Sequence, residues 1–369
     1  DGTSVVELTY TTDIQGASQV VDFKDHLFCS KADLVSFSAP ADEADFNVAN
    51  GAGNFRLEND VTGMIVFRER LFIFTADTIS VLDGSSSSDF ALTSVSKKVG
   101  CVREDTIQQV SGDVVFLSAD GVRMLGATDR IGDFSNVNSS SSIQQNMNDF
   151  ISEYDNFSSV IIRGKSQYRI FGTEDTTLQI NSGGFIGTQY EPQNPMSFQW
   201  SEIRNIKVYA ADSQVYDGEE YVIFIDKDLE YVYRMEKGNT FDGTIIQASF
   251  WTPYFSVTDP LKRKTFYKGD FFIKAEGAIT GSVVLSLDQG RESRPQPSAI
   301  PISSDGTGSL WGDFEWGSSD WSEGTSETRI EKQLVGSGFT GALLFEFPDE
   351  NPPFILDTIF LEYMENDRI

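Results

Sequence analysis

Three stretches of the chain share one hydrophobic pattern: an apolar strand, then Ala-Asp, then a strand of alternating character. They are LFCSKADLVSF (Leu27 to Phe37), LFIFTADTISV (Leu71 to Val81) and VVFLSADGVRML (Val114 to Leu125). Each predicts a β-hairpin with a tight turn at the Asp. The first strand of such a pair, apolar at successive positions, is covered on both faces, and the second on one face. A lone hairpin is marginal in water, so each must pack against something else. The turn residues Asp33, Asp77 and Asp120 lie 44 and 43 residues apart. Two weaker copies follow. Tyr168 to Asp175 leads into Thr176 to Ile180, and Tyr221 to Asp228 leads into Leu229 to Tyr233, with Asp175 and Asp226 spaced by 55 and 51 residues.

Paired strands at a period of about 40–50 residues are the signature of a β-propeller, in which neighbouring blades cover one another's faces. The pattern predicts roughly five to seven blades, with Ser4 to Tyr10 as an orphan strand that helps close the ring. One insertion departs from it. In SIQQNMNDFISEY (residues 142–154), Ile143, Met147, Phe150, Ile151 and Tyr154 share one helical face, with Ser142 as N-cap. The repeat stops near Phe250-Trp251-Thr252-Pro253-Tyr254-Phe255. Strands at 271–274, 283–287, 342–347 and 355–363, with Gly turns between, then predict a small antiparallel β-sandwich. The expected fold is all-β: a propeller over residues 1–255 with one inserted short helix, followed by a sandwich or attachment domain over 256–369.

Composition adds detail. The 29 Phe among 369 residues suit a large β core. A net charge of −28 places carboxylates over the surface, which stays soluble and repels nucleic acid and anionic membranes. Two cysteines, Cys29 and Cys101, make no disulfide framework; they could pair with each other, and in a chain this large they read rather as buried thiols. No apolar run reaches the roughly 20 residues of a membrane helix. Residue 1 is Asp rather than Met, so the absence of a leader carries no weight.

The sequence offers little reactive chemistry. His26, the one histidine, sits at a strand start without a nucleophile motif and reads as a structural edge residue. Gly336-Ser337-Gly338 is not a nucleophile elbow. No zinc, Walker or Rossmann motif is present. Ser303 to Trp311 resembles a sialidase Asp-box but is one residue too long, and it stands once, outside the repeats. Asp226-Lys227-Asp228-Leu229-Glu230 lacks the glycine and final Glu of a calcium loop. The reading is therefore of a protein that is not an enzyme, with no catalytic, cofactor or metal residue assigned. The most unusual segment is WGDFEWGSSDW, where Trp311, Trp316 and Trp321 recur at a spacing of five. It reads as an ordered loop whose rings cap the sandwich core or, alternatively, contact a partner protein.

Taken in order, four features resemble the tail nozzle (hub, tail tubular protein B-like) proteins of short-tailed bacteriophages. They are Arg68-Glu69-Arg70-Leu71-Phe72-Ile73-Phe74-Thr75-Ala76-Asp77; VFLSADGVRML with the loop, helix and Tyr168-Arg169-Ile170 after it; Thr252-Pro253-Tyr254 with the later Asp-Pro and Lys264; and the tryptophan loop before Pro352-Pro353-Phe354-Ile355-Leu356. The resemblance implies a virion structural protein in the phage tail. It would form a homohexameric ring below the head-to-tail adaptor, extend the DNA-ejection channel, and hold fibres, spikes or a plug. DNA would pass without sequence-specific binding, and nothing would insert into a membrane. The alternative is a propeller adhesin, at a tail tip or cell surface, that binds host glycan.

Overall fold

The computed structural model describes residues 14–110, 112–126, 138–174, 182–191, 194, 197–226, 231–257, 259–304 and 327–366. By compactness the chain divides into two units, Asp1–Glu236 and Lys237–Ile369.

The first unit is a run of antiparallel sheets in chain order. The first holds β1 (Gln19–Phe23), β2 (His26–Lys31), β3 (Leu34–Phe37) and β4 (Gly53–Arg56). The second holds β5 (Val61–Phe67), β6 (Arg70–Thr75), β7 (Ile79–Asp83) and β8 (Ala91–Ser96). The third holds β9 (Gln108–Val110), β10 (Asp113–Ser118) and β11 (Gly121–Met124). The fourth holds β12 (Asn156–Ile162), β13 (Gln167–Thr173), β14 (Ser182–Gln189) and β15 (Phe198–Arg204). The fifth holds β16 (Ala210–Tyr216), β17 (Glu219–Ile225) and β18 (Val232–Arg234). First strands of successive sheets adjoin: β1 lies by β5, β9 by β12, and β12 by β16. Meandering sheets joined along their first strands are propeller architecture.

The doubly apolar strands are covered as the pattern requires. On β6, Leu71 and Ile73 pack with Phe28, Val35 and Phe37 of the first sheet. Phe72 and Phe74 point the other way, onto Val114 and Phe116 of the third. On β10, Val114 and Phe116 take that side, while Val115 and Leu117 pack toward Ile161, Tyr168 and Ile170 of the fourth sheet. Side chains alternate across a strand, so one strand serves two interfaces.

The repeated turn aspartates each find a local partner. Asp33 accepts two hydrogen bonds from Arg56 at 2.8 and 2.6 Å. Asp77 accepts from Thr75 and Asn59. Asp120 takes a two-pronged bond from Arg123, whose side chain is only 3% exposed. The carboxylate thus neutralises a guanidinium that would otherwise be buried uncompensated.

The helix is α1 (Gln144–Glu153), preceded by a 3-10 turn at Ser141–Ile143. Met147 and Phe150 are buried, with Ile143, Ile151 and Tyr154 packed beside them, which is the expected face. Ser142 is not the cap, because the preceding 3-10 turn moves the helix start to Ile143, which makes no side-chain cap bond. The expected partner strand of β13, Thr176–Ile180, lies outside the described residues. Among the described residues β13 pairs with β12 and with β14, where Tyr168 stands opposite Gly187. Ser4–Tyr10 also lies outside the described residues.

In the second unit, short β19 (Thr240–Phe241) and β20 (Thr244–Ile245) form a hairpin. Then come β21 (Ala248–Trp251), β22 (Arg263–Ala275), β23 (Ile279–Leu287), β24 (Ile300–Ser304), β25 (Glu327–Gly338), β26 (Gly341–Phe347) and β27 (Phe354–Asn366). Two sheets, β21-β26-β23-β24 and β25-β22-β27, enclose one core that includes Phe266, Phe271, Leu285 and Phe345. That is a β-sandwich. β21, which precedes the break expected at residue 256, pairs with β26 in this unit.

Candidate functional site

His26 is 2% exposed, its Nδ1 lies 2.5 Å from the Ser38 carbonyl oxygen, and Phe28, Phe37 and Phe90 surround the ring. It is a core residue. Cys29 and Cys101 are buried free thiols. Burial pushes the Cys101 thiol up to about 12, which leaves it un-ionised and unreactive at neutral pH. Trp311, Trp316 and Trp321 lie outside the described residues, as do Asp305–Trp311 of the Asp-box-like stretch and residues 227–230. Among the described residues, no group of three or more His, Cys, Asp or Glu could hold a metal ion. No helix among them is long and apolar enough to cross a membrane.

The group with unusual chemistry is Glu104, which no motif in the sequence marks. It sits on a 3-10 turn, Glu104–Thr106, that leads into β9 and lies against β5 and β12. The turn is locked from three sides. From the second sheet, Thr62 Oγ1 donates to the Cys101 carbonyl at 2.7 Å, and the Thr75 carbonyl accepts from Cys101 N at 2.9 Å. Within its own sheet, Leu117 N donates to Thr106 Oγ1 at 3.3 Å. From the fourth sheet, Ser159 Oγ donates to the Asp105 carbonyl at 2.7 Å and Tyr168 Oη to the Thr106 carbonyl at 2.8 Å. Arg103 is drawn off to the Asp155 carbonyl.

That bracing holds Glu104 half-buried, and no ion pair among the described residues includes it. Burial first, and the neighbouring Asp105 carboxylate second, push its pKa up to about 7. It can therefore carry a proton near neutral pH and donate it or a hydrogen bond. The raised pKa has a thermodynamic consequence. A carboxyl raised from 4.5 to about 7 stabilises the fold below the lower value, and the contribution is lost as pH rises through the upper one. Glu104→Gln keeps the shape without the charge. Discounted for solvent screening, the variant should exceed the parent by about 1–2 kcal/mol at about pH 8, with no difference near pH 4. Urea unfolding of both proteins at the two pH values measures this, and an equal difference at both would refute it.

No protein-family model matches the sequence, and no curated protein does. Solved structures with some likeness include an exo-β-1,3-galactanase of Phanerochaete chrysosporium bound to galactose. It is 9% identical, with 93% of this chain and 95% of that one covered and a TM-score of 0.26. A variant of the same enzyme with β-1,3-galactotriose is 9% identical over 97% and 100%, with a TM-score of 0.28. A tryptic core variant of Bacillus thuringiensis Cry1Da is 8% identical over 83% of this chain and 49% of that one, at 0.20. These findings correct one expectation. Two of the three are structures of an enzyme, so the reading of this chain as no enzyme is withdrawn. At TM-scores of 0.20 to 0.28 the likeness assigns no reaction and no residue here.

Proposed function

We propose that the chain is a structural protein of a bacteriophage virion. In this reading it is a subunit of a homohexameric tail nozzle that sits below the head-to-tail adaptor and extends the DNA-ejection channel. Fibres, spikes or a plug attach to it. One observation supports assembly above all others. The second sheet shares apolar faces with the first and third, and the third with the fourth. The fifth uses one face against the fourth, where Arg163 Nη1 donates to Ser213 Oγ at 2.9 Å and Arg163 N to Glu220 Oε1 at 2.8 Å. Its other face carries Tyr216, Ile223, Ile225 and Val232, exposed by 71, 44, 40 and 68%. Asp212, Gln214, Glu219 and Arg234 share that face, and exposed apolar side chains set among polar ones suit burial by a second copy of the chain.

The charge of −28 fits a conduit. Acidic walls offer DNA no counterion-releasing contacts, so the strand slides. Repulsion extends only about 8 Å at physiological salt, so it acts only where acids line a narrow bore.

Light scattering and negative-stain electron microscopy of the purified protein test the reading. A closed ring is expected, and Ile223→Glu with Ile225→Glu should disperse it. A monomer at about 50 μM, where contacts of standard size are populated, would overturn it. A neutral or basic bore in the assembled ring would refute the sliding argument.

A further inference from the structure

Recognition chemistry also collects on the outer face of the β21-β26-β23-β24 sheet. Pairing places Trp251 opposite Leu344, and Leu344 opposite Val284. One row along, Ser249 stands opposite Glu346, and Glu346 opposite Ser282. The residues between them on β23 and β26, Val283, Leu285, Leu343 and Phe345, point into the sandwich core. Alternation therefore turns both rows outward. Trp251 is 55% exposed. Tyr254 lies beside it, with ring centroids 6.4 Å apart and planes inclined at 55°. The Tyr254 hydroxyl is held 2.6 Å from Ser286 Oγ.

The face is thus an apolar strip, Trp251–Leu344–Val284, bordered on one side by two serine hydroxyls and a carboxylate and on the other by the Tyr254 and Ser286 hydroxyls. Three strands about 4.8 Å apart and rows about 6.8 Å apart give a patch of about 10 by 14 Å. A pyranose ring matches that layout. Its C–H face stacks on an aromatic ring, while hydroxyls at its rim need nearby acceptors and donors. A protein partner would instead seek a deep, fully desolvated anchor pocket, whereas the side chains here stand in successive outward rows of one sheet. The protein's net charge of −28 selects against acidic sugars.

We propose that this face binds neutral hexopyranose glycans, with the sugar ring on Trp251 and its hydroxyls taken by Glu346 and the flanking serines. The proposal does not rest on the ring, since a nozzle subunit and a free adhesin would carry the face alike. The test applies the full chain to an array of neutral gluco-, galacto- and mannopyranose oligosaccharides, with sialylated ones for comparison, followed by calorimetric titration of the strongest binder. Saturable binding to a neutral glycan is expected. Trp251→Ala should weaken it at least tenfold and Glu346→Ala several-fold, while Tyr190→Ala, at an exposed ring of the first unit, should leave it unchanged. Both key side chains are exposed, so circular dichroism of the variants should match the parent. No saturable binding on the array would overturn the proposal. So would a preference for sialylated glycans, or binding that neither Trp251→Ala nor Glu346→Ala alters.

Discussion

Phe116→Ala should cost about 3–5 kcal/mol of unfolding free energy, a substantial share of what a domain has. Phe116 is fully buried on β10. Its ring meets Phe74 of β6 at 5.1 Å between centroids, inclined at 56°. Phe72, Ile79, Val81, Val99, Cys101, Val114 and Leu125 complete the same cluster. Removing the ring leaves a cavity between two sheets, each held by its own hydrogen-bond ladder. The walls cannot close without breaking pairing, so both the transfer and the cavity contributions apply. Val20→Ala, at a site 58% exposed on β1, should change stability by no more than about 0.5 kcal/mol. Urea midpoints of parent and variants measure both. A loss below about 1 kcal/mol for Phe116→Ala would mean that the second and third sheets do not share a packed face.

How far this arrangement could be read from the sequence depended on local redundancy. LFIF and VVFL announce strands covered on both faces because four successive apolar residues leave no solvent side. The helix face was equally plain from Met147 and Phe150. β14 was not legible, since SGGFIGTQ looks like a loop. Its glycines instead make room for rings: a Cβ at Gly187 would lie 2.7 Å from Trp200, and one at Gly183 2.7 Å from the Tyr154 hydroxyl. β25 was hidden by charge. Of its side chains only Ile330 and Leu334 join the buried core cluster, and Glu327, Arg329, Glu331 and Lys332 dominate the string. β21 carries four exposed residues and no burial signal at all.

The chemistry was less legible than the fold, for a different reason. Glu104 is one of 56 acidic residues, and nothing in Arg103-Glu104-Asp105-Thr106 separates it from the rest. Its distinction comes from burial and the adjacent Asp105 carboxylate, on a turn that residues more than 50 positions away, Ser159 and Tyr168, help to brace. Trp251 and Tyr254 stood out only as the place where the repeat ended. Their grouping with Ser286 and Glu346 depends on strand register across the sandwich, which no local pattern encodes.

The same packing makes Gly100→Ala a severe change, at about 3 kcal/mol or more. Gly100 lies where the chain leaves the second sheet for the braced turn. A Cβ built there would sit 2.2 Å from the Thr75 carbonyl oxygen, 2.4 Å from Asp77 N and 2.5 Å from the Ala76 carbonyl carbon. All three are backbone atoms, so no rotamer change relieves the overlap. Either the Thr75–Asp77 turn or the segment beginning at Gly100 must move, and movement threatens the bond from Cys101 N to the Thr75 carbonyl. Gly112 separates this effect from a purely conformational one. It has φ of +79° and open space around its Cβ position, so Gly112→Ala should cost only about 1 kcal/mol through the left-handed backbone. The two substitutions add the same methyl group, so the ratio of their urea-midpoint shifts isolates the close approach at Gly100. If the two shifts proved equal, the second sheet would not approach Gly100 this closely. The turn that carries Glu104 would then lack its support from that side, and the raised pKa of that carboxyl would lose part of its structural cause.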